Sequence, residues 1–116
     1  PWCPPCLQEM PSMQRLHDEF HTRGLTVLAV HMGPNDEQVE AFLRDFRPRL
    51  TFPIVFDTRG TVASTWRVES LPRSYVIDKA GRMVYVADGG RRMDSPHLKG
   101  LFAGLLDREG SDRLPR

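Results

Sequence analysis

Cys3 and Cys6 are the two cysteines of a 116-residue chain. A bond between them would close almost no loop, and loop size sets the entropy that a cross-link removes from the unfolded state. The fold therefore has to be held by a hydrophobic core rather than by disulfide staples. Hydrophobic residues at 40% and charged residues at 27% are ordinary globular proportions, and the length fits one domain. The formal charge is +1, from 16 basic and 15 acidic residues, so there is no electrostatic case for a nucleic-acid binder. No apolar run approaches the roughly 20 residues of a membrane-spanning helix. The chain opens Pro1-Trp2-Cys3, without Met or leader, so a motif at residue 3 points to sequence upstream, and a signal peptide can be read neither way.

A core of this kind has to come from patterned elements. Residues 4–23 read as a helix, because Leu7, Met10, Met13, Leu16 and Phe20 recur every three to four positions. Pro4 and Pro5 suit its first turn, Pro11 is expected to kink it, and Gly24 stops it. Residues 25–30, Leu-Thr-Val-Leu-Ala-Val, read as a strand buried on both faces. Asn35 and Gln38 have capping-box spacing ahead of a helix reaching about Phe46. A short extended segment at 52–56 and a short helix at 61–67 follow. Residues 74–77 and 83–86 form a hairpin across Asp78-Lys79-Ala80-Gly81, and Ser95 caps a last helix with Pro96 in its first turn. Trp66 is expected in the core.

This order predicts an α/β sandwich with a mixed central sheet flanked by helices, spanning residues 1–107 and followed by a polar tail at 108–116. A doubly buried strand at 25–30 wants a parallel neighbour with the first helix as crossover, so the first core strand is expected to precede Pro1.

Chemistry concentrates at Trp2-Cys3-Pro4-Pro5-Cys6. Positions i and i+3 bring the two sulfurs to one helix face, close enough for a disulfide after small adjustments. Unpaired N–H groups and the positive dipole end favour a thiolate at Cys3, while Cys6, one turn in, is expected to be more buried. Cys3 is then the attacker and Cys6 the resolver. The same spacing also occurs in zinc sites, but four ligands are required and no second pair of that kind is present. His17 and His21 share a helix face, where solvated surface is the commoner role.

Trp-Cys-Pro-Pro-Cys resembles the active site of the thioredoxin superfamily. The segments 52–57 (FPIVFD), 66–78 (WRVESLPRSYVID) and 81–84 (GRMV) resemble its TlpA/ResA-like (DsbE-like) branch, and the resemblance runs from Pro1 to about Leu106. It implies a thioredoxin-like fold in which residues 35–56 contain the insertion that marks this branch. It also implies a thiol–disulfide oxidoreductase whose redox group is the Cys3–Cys6 pair, with no other cofactor and no metal. Pro72 corresponds to the cis-proline facing the cysteines, which frees the backbone of Leu71 for an extended substrate peptide. Glu9 matches a functional glutamate able to exchange a proton with Cys6. Trp2, Pro4, Pro5 and Arg73 complete the implied substrate surface. Arg73 departs from the small hydroxyl residue common after the cis-proline. Such proteins are extracytoplasmic, periplasmic or membrane-tethered, and several act in cytochrome c biogenesis. The implied partners are protein thiols and disulfides, apocytochrome c among them, and an upstream membrane electron donor. Membrane contact would come only through an N-terminal anchor.

Two other chemistries compete. A peroxiredoxin-like thiol peroxidase shares the fold, but its cysteine follows a threonine three residues earlier and lacks a C-x-x-C partner. A copper carrier of the same superfamily has three residues between its cysteines and adds a distant histidine, whereas only Pro4 and Pro5 lie between the cysteines here and His31 follows a strand. An inert remnant, open at its sheet edges, is the remaining alternative.

Overall fold

A computed structural model describes residues 3–108. Helix α1 (Pro4–Phe20) begins at Cys3, whose extended backbone and side chain cap it. Pro4 and Pro5 occupy its first positions, where a missing N–H removes no helical bond. The helix continues through Pro11, so the expected kink does not end it. A 3-10 turn, His21–Arg23, and Gly24 in the left-handed region (φ 111°) close it.

Strand β1 (Ala29–Met32) and strand β2 (Ile54–Asp57) pair in parallel, Ala29 opposite Ile54 and Met32 opposite Asp57. Between them lies α2 (Glu37–Asp45). Its cap is Asp36, which accepts the Val39 N–H at 3.0 Å, and not the expected Asn35. Either residue type can cap, and the carboxylate one position later wins. Asp57 ends β2 and caps α3 (Thr61–Thr65) by accepting the Val62 and Ala63 N–H groups at 3.1 and 2.9 Å. Strand β3 (Arg73–Ile77) and strand β4 (Met83–Asp88) form the expected antiparallel hairpin, with a register shift at Val76/Ile77. Asp78 builds its turn by accepting the Ala80 and Arg82 N–H groups, both at 2.9 Å. Helix α4 (Pro96–Asp107) is capped by Ser95 as expected.

The α/β architecture holds, but the strands form two two-stranded sheets instead of one mixed sheet. Among the described residues, no strand joins β1 to β3. The expected doubly buried strand is corrected in two respects. It starts at Ala29 rather than Leu25, and it alternates in burial, with Leu28 at 55% and Val30 at 41% exposure. A hydrophobic run gives a strand's composition but not its number of covered faces.

The core is built by the helices. Leu16 and Phe20 of α1 and Leu98 and Phe102 of α4 meet Val27, Phe52, Val76 and Met93. Trp66, expected in this core, is exposed and packs its ring on Tyr75, with centroids 4.9 Å apart. The expected polar tail lies outside the described residues except for Arg108, which is exposed.

Candidate active site

Cys3 and Cys6 are joined by a disulfide. Cys3 is the N-cap of α1, and its Sγ accepts the Cys6 N–H at 3.2 Å. The cap thus places one sulfur at the end of the helix dipole, where negative charge is stabilised. The expected difference in burial is not seen. Both cysteines are half-buried, so their asymmetry comes from cap geometry. Trp2 lies outside the described residues.

Glu9 stands one turn beyond Cys6 and is 4% exposed. Its Oε2 accepts the Arg91 backbone N–H at 3.2 Å. Burial pushes the Glu9 carboxyl above its ordinary value, against the opposing pull of that N–H and of the Arg91 charge. A buried carboxyl so placed is suited to taking and returning protons. His17 and His21, further along α1, stack their rings at 4.6 Å, and His21 Nδ1 lies 2.8 Å from the His17 carbonyl.

The segment between β4 and α4 runs along the same face of α1. Gly90 lies against Pro5, Arg91 bonds Glu9, the Met93 N–H donates to Ser12 Oγ at 2.8 Å, and Asp94 accepts Arg15 Nε at 2.7 Å. Pro5, Glu9, Ser12 and Arg15 follow helical spacing, so one stripe of α1 receives the whole segment. A cleft of about 370 Å³ remains between them, lined also by Gln8 and Arg92. Asp94 is 4% exposed, and the Arg15 and Arg92 guanidinium groups beside it pull its carboxyl down to about 2.

The Leu71–Pro72 bond is cis, the geometry the family resemblance implies for Pro72. Pro72 is buried and Leu71 is exposed. The Pro72 carbonyl accepts the Gly89 N–H at 2.9 Å, so Gly89 and Gly90 connect the Pro72 turn to the Pro5 turn between the cysteines. Arg73 does not offer a free cation. Its guanidinium pairs with Asp88 and donates to Tyr75 Oη.

Sequence reasoning missed Ser12, Gly90, Arg91 and Asp94. Adjacent glycines such as Gly89-Gly90 mark a loop, but the contact of this loop with α1 is made across some 80 residues of chain, and local patterns carry no such information.

Residues 1–86 match the family model described as AhpC/TSA family. The chain belongs to that family. The curated relatives it matches include thiol-disulfide oxidoreductase ResA of Geobacillus kaustophilus, 39% identical over 88 residues, 76% of this chain and 49% of that protein. ResA of Bacillus subtilis is 32% identical over 88 residues, 76% of this chain and 48% of that protein. The chain spans about half the length of these curated relatives. Among solved structures, the Chlorobium tepidum protein assigned as DsbE, a thiol:disulfide interchange protein, is 27% identical. It covers 90% of this chain and 73% of its own, with a TM-score of 0.79. StoA of Bacillus subtilis is 28% identical, covers 78% of this chain and 68% of its own, and gives a TM-score of 0.67. The fold is thioredoxin-like, and within the family the chain is similar to the TlpA/ResA-like thiol–disulfide oxidoreductases.

Proposed function

We propose that this protein is a thiol–disulfide oxidoreductase acting as a reductant. The observation that carries the reading is the Cys3–Cys6 disulfide built on the N-cap and first turn of α1. In the reduced pair, the Cys3 thiolate attacks one sulfur of a substrate disulfide. A mixed disulfide forms, and the other substrate sulfur leaves as a thiolate that takes a proton from water. Cys6 then gives its proton to the Glu9 carboxylate and attacks Cys3 Sγ. The Cys3–Cys6 bond forms, and the second substrate sulfur leaves and is protonated. Two electrons have passed to the substrate, and an external dithiol restores the pair. Leu71 and cis-Pro72, with Pro4 and Pro5, are the surface against which an extended substrate lies. The redox group is the cysteine pair alone.

The finer reading is an extracytoplasmic role in cytochrome c maturation, supplied by a membrane electron donor. It rests on the likeness to ResA and DsbE. The wild-type protein is expected to speed insulin reduction by dithiothreitol, and Cys3→Ser to abolish it. Activity retained in that variant overturns the assignment. Faster reduction of an oxidised C-x-x-C-H peptide than of insulin supports the cytochrome role, and equal rates count against it.

A further inference from the structure

Gly90 is exposed and its φ is not in the left-handed region, so neither burial nor a turn demands glycine there. Close approach does. A Cβ at Gly90 would stand 2.9 Å from the Pro5 carbonyl oxygen and 3.2 Å from Pro5 Cβ, with Pro5 rigid in the first turn of α1. The neighbouring N–H, that of Arg91, is the one that reaches Glu9. We propose that Gly90 is a positioning residue: its bare backbone lets the β4–α4 segment lie on Pro5, which holds the Arg91 N–H on Glu9 and sets how readily Glu9 accepts the proton of Cys6. This rests on the exchange chemistry proposed above.

The groups facing Glu9 can be named. From the β4–α4 segment they are Arg91 and Arg92. From α1 itself it is Arg15, which lines the same cleft, and the cysteine pair stands one turn back along the helix. Asp94 engages both Arg15 and Arg92. Arg91 spends its guanidinium on Tyr85 Oη and the Asp88 carbonyl, which leaves its backbone N–H as its hydrogen bond to Glu9. An N–H donated to a carboxylate favours the ionised form. Gly90→Ala must lift the segment from Pro5, lengthen that bond and make Glu9 less acidic.

The test is the titration of the Glu9 carboxyl carbon by NMR in the oxidised protein, alongside the pH profile of thiol reactivity in the reduced one. Gly90→Ala is expected to move the Glu9 titration up by about half a unit or more, and the Glu9-dependent limb of the profile with it. In a Glu9→Gln background, Gly90→Ala is expected to leave the profile unchanged. If Gly90→Ala fails to fold, Ser12→Ala loosens the same segment without added bulk, by removing the Met93 anchor, and is expected to shift Glu9 upward by less. An unmoved Glu9 titration in the folded variant, or a profile shift that persists without Glu9, overturns the proposal. The NMR arm needs no substrate. A shift of Glu9 in a protein that does not reduce insulin would therefore refute the proposed function while leaving the positioning role standing.

Discussion

Glu9 carries the sharpest consequence at the scale of a single residue. Its carboxyl is buried among groups that only partly compensate it, and its affinity for a proton in the folded state exceeds that in the unfolded chain. A group with a raised folded-state pKa adds stability that is present below its unfolded value and is lost as pH rises through the folded one. Glu9→Gln is therefore expected to be more stable than the wild type at neutral pH, by thermal denaturation, with the gain disappearing toward pH 4. The same substitution is expected to slow closure of the Cys3–Cys6 bond by roughly 10- to 100-fold, since a positioned base is lost. Stopped-flow oxidation of the reduced protein measures it. Stability and reactivity moving in opposite directions would mark Glu9 as a residue kept for chemistry. Arg73 shows the converse, a cation beside the Pro72 turn whose charge is already engaged by Asp88.

At the scale of an element, α1 serves two ends. Its N-terminus holds the cysteine pair, and one lateral stripe anchors the segment between β4 and α4. Asp94 is the strongest of those anchors, with its carboxyl drawn down to about 2, first by Arg15 and then by Arg92. A depressed carboxylate contributes stability that is present above its unfolded value and lost as pH falls through the folded one, here between about 4 and about 2. Asp94→Asn is expected to lower stability by roughly 1 kcal/mol at pH 7, because Arg15 and Arg92 are exposed and solvent takes up part of the loss. Urea denaturation at pH 7 and pH 2.5 checks the sign: the difference from wild type should narrow at the lower pH.

At the scale of the molecule, two small sheets that share no strand are held together through the helices that pack on them. Phe20 sits at that junction, 2% exposed, with Leu16, Val27, Phe52, Val76, Met93, Leu98 and Phe102 in the same cluster. Phe20→Ala is expected to cost about 3–5 kcal/mol, from lost burial and the cavity left behind. Denaturation followed by far-UV circular dichroism and by tryptophan fluorescence should shift together, because one core serves both sheets. Separate transitions would show two independently folding halves.

Much of this was legible along the chain. The cysteine pair, the prolines of the first turn, the hairpin around Asp78, the Ser95 cap and the apolar stripe of α1 are local patterns, governed by spacing within a few residues. Boundaries decided between near-equivalent neighbours, such as Asp36 over Asn35, were less so. Exposure was not legible for Leu28, Val30 or Trp66, because the same residue types serve core and surface, and partners remote in sequence choose between them. The sequence by itself determined that this protein carries a thiol pair at a helix start on an α/β frame. Only the tertiary structure decided that Glu9 is buried under the Gly90–Arg91 segment, because that contact joins backbones some 80 residues apart and depends on the absence of one side chain.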